Sequence, residues 1–194
     1  MRAALRYHFK HLLAFYGRDS RQTFWYWFLL LFIVNIAVSL VTSMPMTMDA
    51  VTAGYDAVKG GDEVAAQTAM LSQMAVSMKR VIMVSLAVGV INVMLIAAPL
   101  IRRMHDSGNT GLWAIVAGVI YLLSLGLTWS RADEAVALMR RVAAASNPQM
   151  VLGMQPKFGL NSLLEYIPLI VVLGFGLLKS TPGPNRYGER PVRF

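Results

Sequence analysis

The sequence contains no cysteine, so disulfides, thiolate metal sites and cysteine nucleophiles are excluded. Charged residues are also scarce, at 14% of the 194 residues, whereas an ordinary soluble domain carries about 25%. Too few charges remain to solvate a globular surface, while 56% of the residues are hydrophobic and the mean hydropathy is +0.53. This composition indicates a membrane protein.

Four apolar runs are long enough to cross the hydrocarbon core of a bilayer, which takes roughly 17 to 25 residues. They lie at about 24–44, 81–101, 112–129 and 160–178. The first run is too long for the apolar region of a cleaved signal peptide, so we expect it to be retained as a span. The runs predict an all-α membrane protein with four transmembrane helices in a single integral domain, residues 1–194.

Basic residues are distributed unevenly around these runs. Eleven Lys and Arg lie in the two terminal tails and the short loop between the second and third runs, and seven lie in the two longer loops. After the acidic residues are subtracted, the first side carries a net charge of +8 and the second +1. Lys79 and Arg80 flank a span on the less basic side and are the exception. Because cytoplasmic loops carry an excess of Lys and Arg, both termini are predicted to be cytoplasmic.

The N-terminal segment, residues 1–16, has the pattern of an interfacial helix. Apolar residues recur at helical spacing, and Arg2, Arg6 and Lys10 form a basic row along one face. This pattern predicts an anchor on anionic lipid, and the alternative is a docking helix for a protein partner. His8 and His11 lie three residues apart, but without a third ligand they do not make a metal site.

The two outer loops, residues 45–80 and 130–159, are predicted to form a small helical cap. The first begins with irregular chain, breaks at Gly60-Gly61, and then starts a helix capped by Asp62 that continues through the second span. The second begins with Ser130-Arg-Ala-Asp133, which resembles a capping box with Asp in place of the usual Glu. Apolar stripes on both helices can bury each other: Val64, Leu71, Met74 and Met78 on the first, and Val136, Met139 and Ala143 on the second.

Three polar motifs lie on the predicted cytoplasmic side. They are Tyr16-Gly-Arg-Asp-Ser-Arg-Gln-Thr-Phe-Trp25, Arg102-Arg-Met-His-Asp-Ser-Gly108 followed by Gly111-Leu-Trp113, and Pro182-Gly-Pro-Asn-Arg-Tyr-Gly188. In this order the motifs resemble those of domain of unknown function 805, a group of small bacterial inner-membrane proteins. The resemblance spans nearly the whole chain, although the outer loops here are longer than the family's usual connections. It implies a bacterial inner-membrane location and supplies no activity.

The same motifs contain the candidate binding residues. The arginines could converge on a lipid phosphate or another anion, with the neighbouring polar residues completing the site. The candidate anion-binding or lipid-binding residues are Arg18, Arg21, Arg102, Arg103, His105, Asp106, Asn185, Arg186 and Tyr187. Two alternatives stay open. Arg102 and Arg103 could extend to headgroups from a helix end, and His105 with Asp106 could act as acid and base on a phosphate-bearing headgroup.

Polar residues inside the predicted spans are few. Asn35 and Asn92 are expected to bond across helices or to backbone freed by Pro99, and Glu165 is the single acid within a span. These three residues would serve a small transporter or channel, which is the alternative function. Met44, Met46 and Met48 offer thioethers that could bind Cu(I), although methionine is more often a filler of apolar space.

These observations favour a non-enzymatic integral membrane protein that binds anionic lipid or a protein partner through a basic cytoplasmic face. A homo-oligomer is also compatible with them. The sequence calls for no cofactor and no metal, and its positive charge is explained by topology rather than by nucleic acid.

Overall fold

The computed structural model describes residues 1–145, 163–164 and 166–191, and this part of the chain is helical, without a β-sheet. The all-α prediction is therefore confirmed. The helices are α1 (Arg2–Lys10), α2 (Arg21–Val58), α3 (Glu63–Asp106), α4 (Leu112–Ser130), α5 (Ala132–Ala143) and α6 (Tyr166–Leu177). The chain divides into two compact units. The first comprises Met1–Asn35, Val88–Leu125 and Gly159–Phe194, and the second comprises Ile36–Ala87 and Gly126–Phe158.

Three described helices are long and apolar enough to cross a membrane, namely α2, α3 and α4. They contain the first three predicted runs, so the membrane character of the chain is supported by the structure. The helix in the fourth predicted run, α6, is also apolar but has 12 described residues. Glu165 and residues 160–162 of the predicted run lie outside the described residues, as do residues 146–159 of the loop that precedes the run.

The prediction of irregular chain after residue 44 is wrong, because α2 continues to Val58 with Pro45 inside it. The helix ends where Gly60 and Gly61 follow, and Gly61 has a φ of +80° that favours glycine. Helical geometry also separates the three methionines. Residues two apart lie about 200° apart around a helix, so Met46 faces away from Met44 and Met48. The structure does not assemble these thioethers into one site.

The predicted start of α3 is confirmed. Asp62 Oδ1 accepts hydrogen bonds from the backbone N–H groups of Val64 and Ala65, at 2.9 and 3.0 Å. The helix then runs for 44 residues, or about 66 Å. Pro99 cannot donate to the carbonyl of Leu95, and the indole Nε1–H of Trp27 donates to that oxygen instead, at 3.0 Å. Trp27, rather than Asn92, therefore satisfies the backbone that the proline frees.

Helix α1 is shorter than predicted, because it ends at Lys10 and a turn follows. It also packs more closely on α2 than an interfacial anchor would. His8 is fully buried, with its ring 5.1 Å from that of Trp27, and Phe9 meets the same indole edge-on at 5.1 Å. The basic row of α1 remains exposed on its other side.

The core of the first unit is built from side chains of α2, α3, α4 and α6. Its buried members are Phe24, Leu100, Met104, Ala114 and Val172. Gly176 brings α6 close to α2, because a Cβ at this position would lie 2.8 Å from the Trp25 ring. The Trp25 Nε1–H donates to the carbonyl of Gly176 at 3.2 Å. Phe24, Trp25 and Phe28, at the start of α2, therefore pack within the first unit.

The second unit is packed through small residues, which allow close approach of helices. Among its described residues the buried hydrophobic ones are all alanines, namely Ala50, Ala66, Ala75, Ala132 and Ala143. The predicted stripe on α3 is only partly correct, since Val64 is exposed. The predicted capping box is wrong, because the Ser130 hydroxyl donates to the carbonyl of Leu127 and the N-cap residue of α5 is Arg131.

Candidate functional site

Five ionisable residues form a buried cluster at one end of the first unit. These residues, termed the arginine cluster, are Arg18, Asp19, Arg102, Arg103 and Asp106. The first two lie in the segment between α1 and α2, and the other three lie in the last turn and a half of α3. All five are at most 5% exposed. Charged residues are almost never buried unless they are paired, so their contacts decide what they can do.

Asp106 lies at the centre of one half of the cluster. Its Oδ1 accepts from Arg18 Nε at 3.2 Å and Nη2 at 3.0 Å, and its Oδ2 accepts from Arg103 Nη1 at 2.7 Å. The Ser180 hydroxyl also donates to Oδ2. Both carboxylate oxygens are thus occupied by protein donors. This arrangement suits an internal ion pair better than a catalytic acid or base.

Asp19 and Arg102 form the other half. Arg102 Nε donates to Asp19 Oδ2 at 3.0 Å, and Arg102 Nη2 donates to His8 Nδ1 at 3.1 Å. The second ring nitrogen of His8, Nε2, donates to the carbonyl of Thr23 at 3.2 Å. Because Nδ1 accepts a bond from a guanidinium, His8 has to be neutral in this arrangement. Both of its nitrogens are engaged, so it has none left for a metal shared with His11.

Burial shifts the protonation of these groups in opposite directions. Burial lowers the pKa of His8 to about 4, and the positive charge of Arg102 lowers it as well. Burial also raises the pKa of Asp19 to about 6, although Arg102 acts in the opposite sense. At neutral pH His8 is therefore uncharged, and Asp19 is ionised and paired with Arg102.

The cluster holds three arginines but only two carboxylates, and backbone carbonyls of the segments after α1 and α6 accept further donors from all three arginines. Arg102 Nη1 donates to the carbonyls of His11, at 2.9 Å, and Ala14, which follow α1. Arg103 Nη2 donates to the carbonyl of Leu178, and Arg18 Nη2 donates to that of Thr181 at 2.9 Å, both just after α6. Carbonyl oxygens carry partial negative charge, so these charge-assisted bonds offset part of the excess positive charge.

The C-terminal tail folds back on the end of α3. Asn185 Nδ2 donates to the carbonyl of His105 at 2.9 Å. The Tyr187 ring stacks on the His105 ring with centroids 3.8 Å apart, and its backbone N–H donates to Asn185 Oδ1 at 2.9 Å. Gly183 and Gly188, with φ of +71° and +127°, form the turns that the tail requires.

The structure therefore brings seven of the nine predicted anion-site residues together, and two lie at its edge. Arg18, Arg102, Arg103, His105 and Asp106 are buried together, and the half-buried Asn185 and Tyr187 contact His105. Arg21 is exposed at the first residue of α2. Arg186 is exposed and lies over the Tyr187 ring at 4.7 Å. Arg103 Nε is buried without a hydrogen-bond partner among the described residues.

Several members of the network were not among the predicted site residues. His8, Asp19 and Thr181 contact the cluster arginines, and Ser180 contacts the Asp106 carboxylate. Asp19 lies within the first motif, between two arginines, and that spacing was the available signal. His8 and Thr181 carry no sequence signal of this role, because the arginines that they contact, Arg102 and Arg18, are 94 and 163 residues distant in the chain.

Inside the first unit, the two predicted intramembrane amides form a reciprocal pair. Asn35 Nδ2 donates to Asn92 Oδ1 at 3.0 Å, and Asn92 Nδ2 donates to Asn35 Oδ1 at 2.7 Å. Asn35 also donates to the carbonyl of Leu31, at 2.7 Å. Each amide thus satisfies the other. The third predicted residue, Glu165, lies outside the described part of the chain.

Comparison with known proteins agrees with the motifs. No protein of curated function and no solved structure matches the chain. A family model described as "Protein of unknown function (DUF805)" matches residues 12–189, which include all three motifs and therefore the whole arginine cluster. The chain belongs to the DUF805 family.

Proposed function

We propose that this chain is a non-enzymatic protein of the bacterial inner membrane that binds anionic lipid through exposed cations of its first unit. In this proposal the chain crosses the membrane four times, and both termini are cytoplasmic. The helices α2 and α3 are long enough to continue beyond the opposite side of the bilayer. There, parts of them would form the extracytoplasmic cap together with α5.

The exposed charge of the first unit is the observation that carries the proposal. The cluster arginines are buried and matched by carboxylates and carbonyls, so they are not the residues that contact a headgroup. Seven other cations of this unit are exposed, whereas Glu189 is its single exposed acid among the described residues. The seven are Arg2, Arg6, Lys10, Arg21, Lys179, Arg186 and Arg190. Basic residues beside a membrane attract anionic lipid by about 1 kcal/mol each.

The arginine cluster has a supporting role in this proposal. It links α1, α3 and the C-terminal tail, and so holds the exposed cations in fixed positions relative to one another. Arg186 is placed by the tail that Asn185 anchors, and Arg21 begins the helix that follows Arg18 and Asp19. A prepositioned set of charges loses less conformational entropy on binding than mobile side chains do.

The proposal is tested with the purified protein in mild detergent, by native mass spectrometry with added phosphatidylglycerol or phosphatidylcholine. We expect phosphatidylglycerol to be retained in preference. The variant Arg21→Gln/Arg186→Gln should lose about tenfold to thirtyfold in that affinity. The matched control, Arg140→Gln/Arg141→Gln, removes the same charge from exposed positions at the end of α5 in the second unit and should change little.

Two results would overturn the proposal. The first is equal retention of the anionic and zwitterionic lipids by the unaltered protein. The second is an equal loss in the two double variants, which would mean that net charge alone, and not the first unit, governs lipid retention.

A further inference from the structure

The first unit contains an apolar cavity of about 330 Å³. Four helices contribute to its wall, and its polar side chains are Asn35, Asn92 and Tyr121. Because the two amides hydrogen-bond each other, they do not need a polar ligand as a partner. A cavity of this character suits a hydrocarbon chain rather than a polar solute.

The two exposed side chains in the cavity wall belong to α2 and α6, which places the mouth of the cavity between these helices. Phe32 on α2 and Leu169 on α6 both line it, and they are 54% and 46% exposed. Each lies seven residues along its helix from the contact between Trp25 and Gly176. The two helices therefore touch near the arginine cluster, and the mouth lies about 10 Å further along them. In a membrane this mouth faces lipid chains.

Cations stand at the base of the same pair of helices. Arg21 is exposed at the start of α2, four residues before Trp25, and Lys179 is exposed three residues after Gly176. Arg21 and Phe32 are eleven residues apart, so their side chains leave nearly the same face of α2, about 16 Å apart along it. That separation is about half of a hydrocarbon core of roughly 30 Å, the depth to which one lipid leaflet extends.

We infer that the cavity binds one acyl chain of an anionic phospholipid whose headgroup lies against Arg21 and Lys179. The inference rests on the proposed function and adds the position of the lipid. The phosphate contacts the cations at the base, the chain passes over Trp25, and it enters the cavity between Phe32 and Leu169. Trp25, Phe28 and Phe32 contact one another in series, with ring centroids 5.3 and 6.5 Å apart, and form an aromatic wall along this path.

The test is photo-crosslinking with phosphatidylglycerol that carries a diazirine midway along one acyl chain, using the full-length protein in nanodiscs. Peptide mapping should place crosslinks on cavity residues such as Asn92, Ala97 and Gly118. Gly118→Leu should reduce them about tenfold, because its side chain excludes roughly two methylene groups. A Cβ at residue 118 meets only Val93, at 3.9 Å, so the added side chain has room to fill the cavity.

The matched control is Gly174→Leu, on α6, where a Cβ meets nothing within 4 Å and which does not line the cavity. It should leave the crosslinks unchanged. If Gly118→Leu does not fold, Ala97→Leu fills the same cavity from α3, and the crosslink map of the unaltered protein decides by itself. Crosslinks confined to outward residues such as Ile33 and Val119 would overturn the cavity inference.

A parallel experiment with the same diazirine chain on phosphatidylcholine separates this inference from the proposed function. Equal crosslinking of the cavity by both lipids would support the acyl-chain site and overturn the preference for an anionic headgroup. Preferential retention of phosphatidylglycerol without cavity crosslinks would support the proposed function and overturn the acyl-chain site.

Discussion

Arg18 binds Asp106 through two guanidinium nitrogens, Nε and Nη2, which both donate to the same carboxylate oxygen at 3.2 and 3.0 Å. The two residues are separated by 88 positions in the chain. They join the segment before α2 to the last residue of α3, and Arg103 adds a second contact to the same carboxylate. These contacts therefore hold the segment before α2 against the C-terminal end of α3 in the first unit.

Replacement of Asp106 should destabilise the protein strongly. Asp106→Asn removes the negative charge and leaves Arg18 and Arg103 buried without a counter-ion, at a cost of about 3–5 kcal/mol. Thermal unfolding in detergent measures the loss. The control Asp133→Asn breaks the exposed pair with Lys79, which should cost no more than about 1 kcal/mol. Similar melting temperatures for the two variants would show that the buried cluster does not stabilise the fold.

Acidification should destabilise the protein through His8. Its pKa is about 6.5 when unfolded and about 4 when folded, so the unfolded state takes up a proton across this interval while the folded state does not. The histidine should therefore lower stability by about 2 kcal/mol between pH 7 and pH 5.

Thermal unfolding of the unaltered protein and of His8→Gln at both pH values isolates this effect. Both proteins retain Asp19, whose raised pKa of about 6 acts in the opposite sense below that pH, because the folded state then holds the proton more tightly. The unaltered protein should lose more stability than His8→Gln on acidification. An identical loss in both would contradict a neutral, buried His8.

The stability costs of replacing Asn35 and Asn92 should not be additive. Asn35→Leu or Asn92→Leu alone leaves the partner amide without its reciprocal bonds in an apolar setting and should cost about 1 kcal/mol. The double replacement removes both polar groups, so its cost should be less than the sum of the two. Unfolding in mixed micelles with increasing denaturing detergent gives the three values. Strict additivity would mean that the amides do not depend on each other.

The distribution of basic residues predicts the topology. A reporter fused after Phe194 should be active in the cytoplasm, and one inserted at Gly60, in the exposed turn after α2, should be active outside it. A C-terminal fusion that reports the outer side would contradict both the four spans and their direction.

The sequence by itself determined the membrane character and the class of fold, because long apolar runs leave a chain no other solvent than lipid. It also determined the start of α3, since the bonds from Asp62 to the helix backbone are local. Local sequence signals did not predict the length of α2. Helix α2 continues past Pro45 although the chain there was predicted to be irregular.

Only the tertiary structure decided the state of the arginines. Arg102 and Arg103 occupy the end of a helix, where a sequence offers no means to distinguish an exposed cation from a buried one. Their burial depends on Asp19, His8 and the carbonyls that follow α1 and α6, all of which arrive from distant parts of the chain. Charge becomes tolerable in an interior only when such partners are assembled, and that assembly is a property of the folded chain.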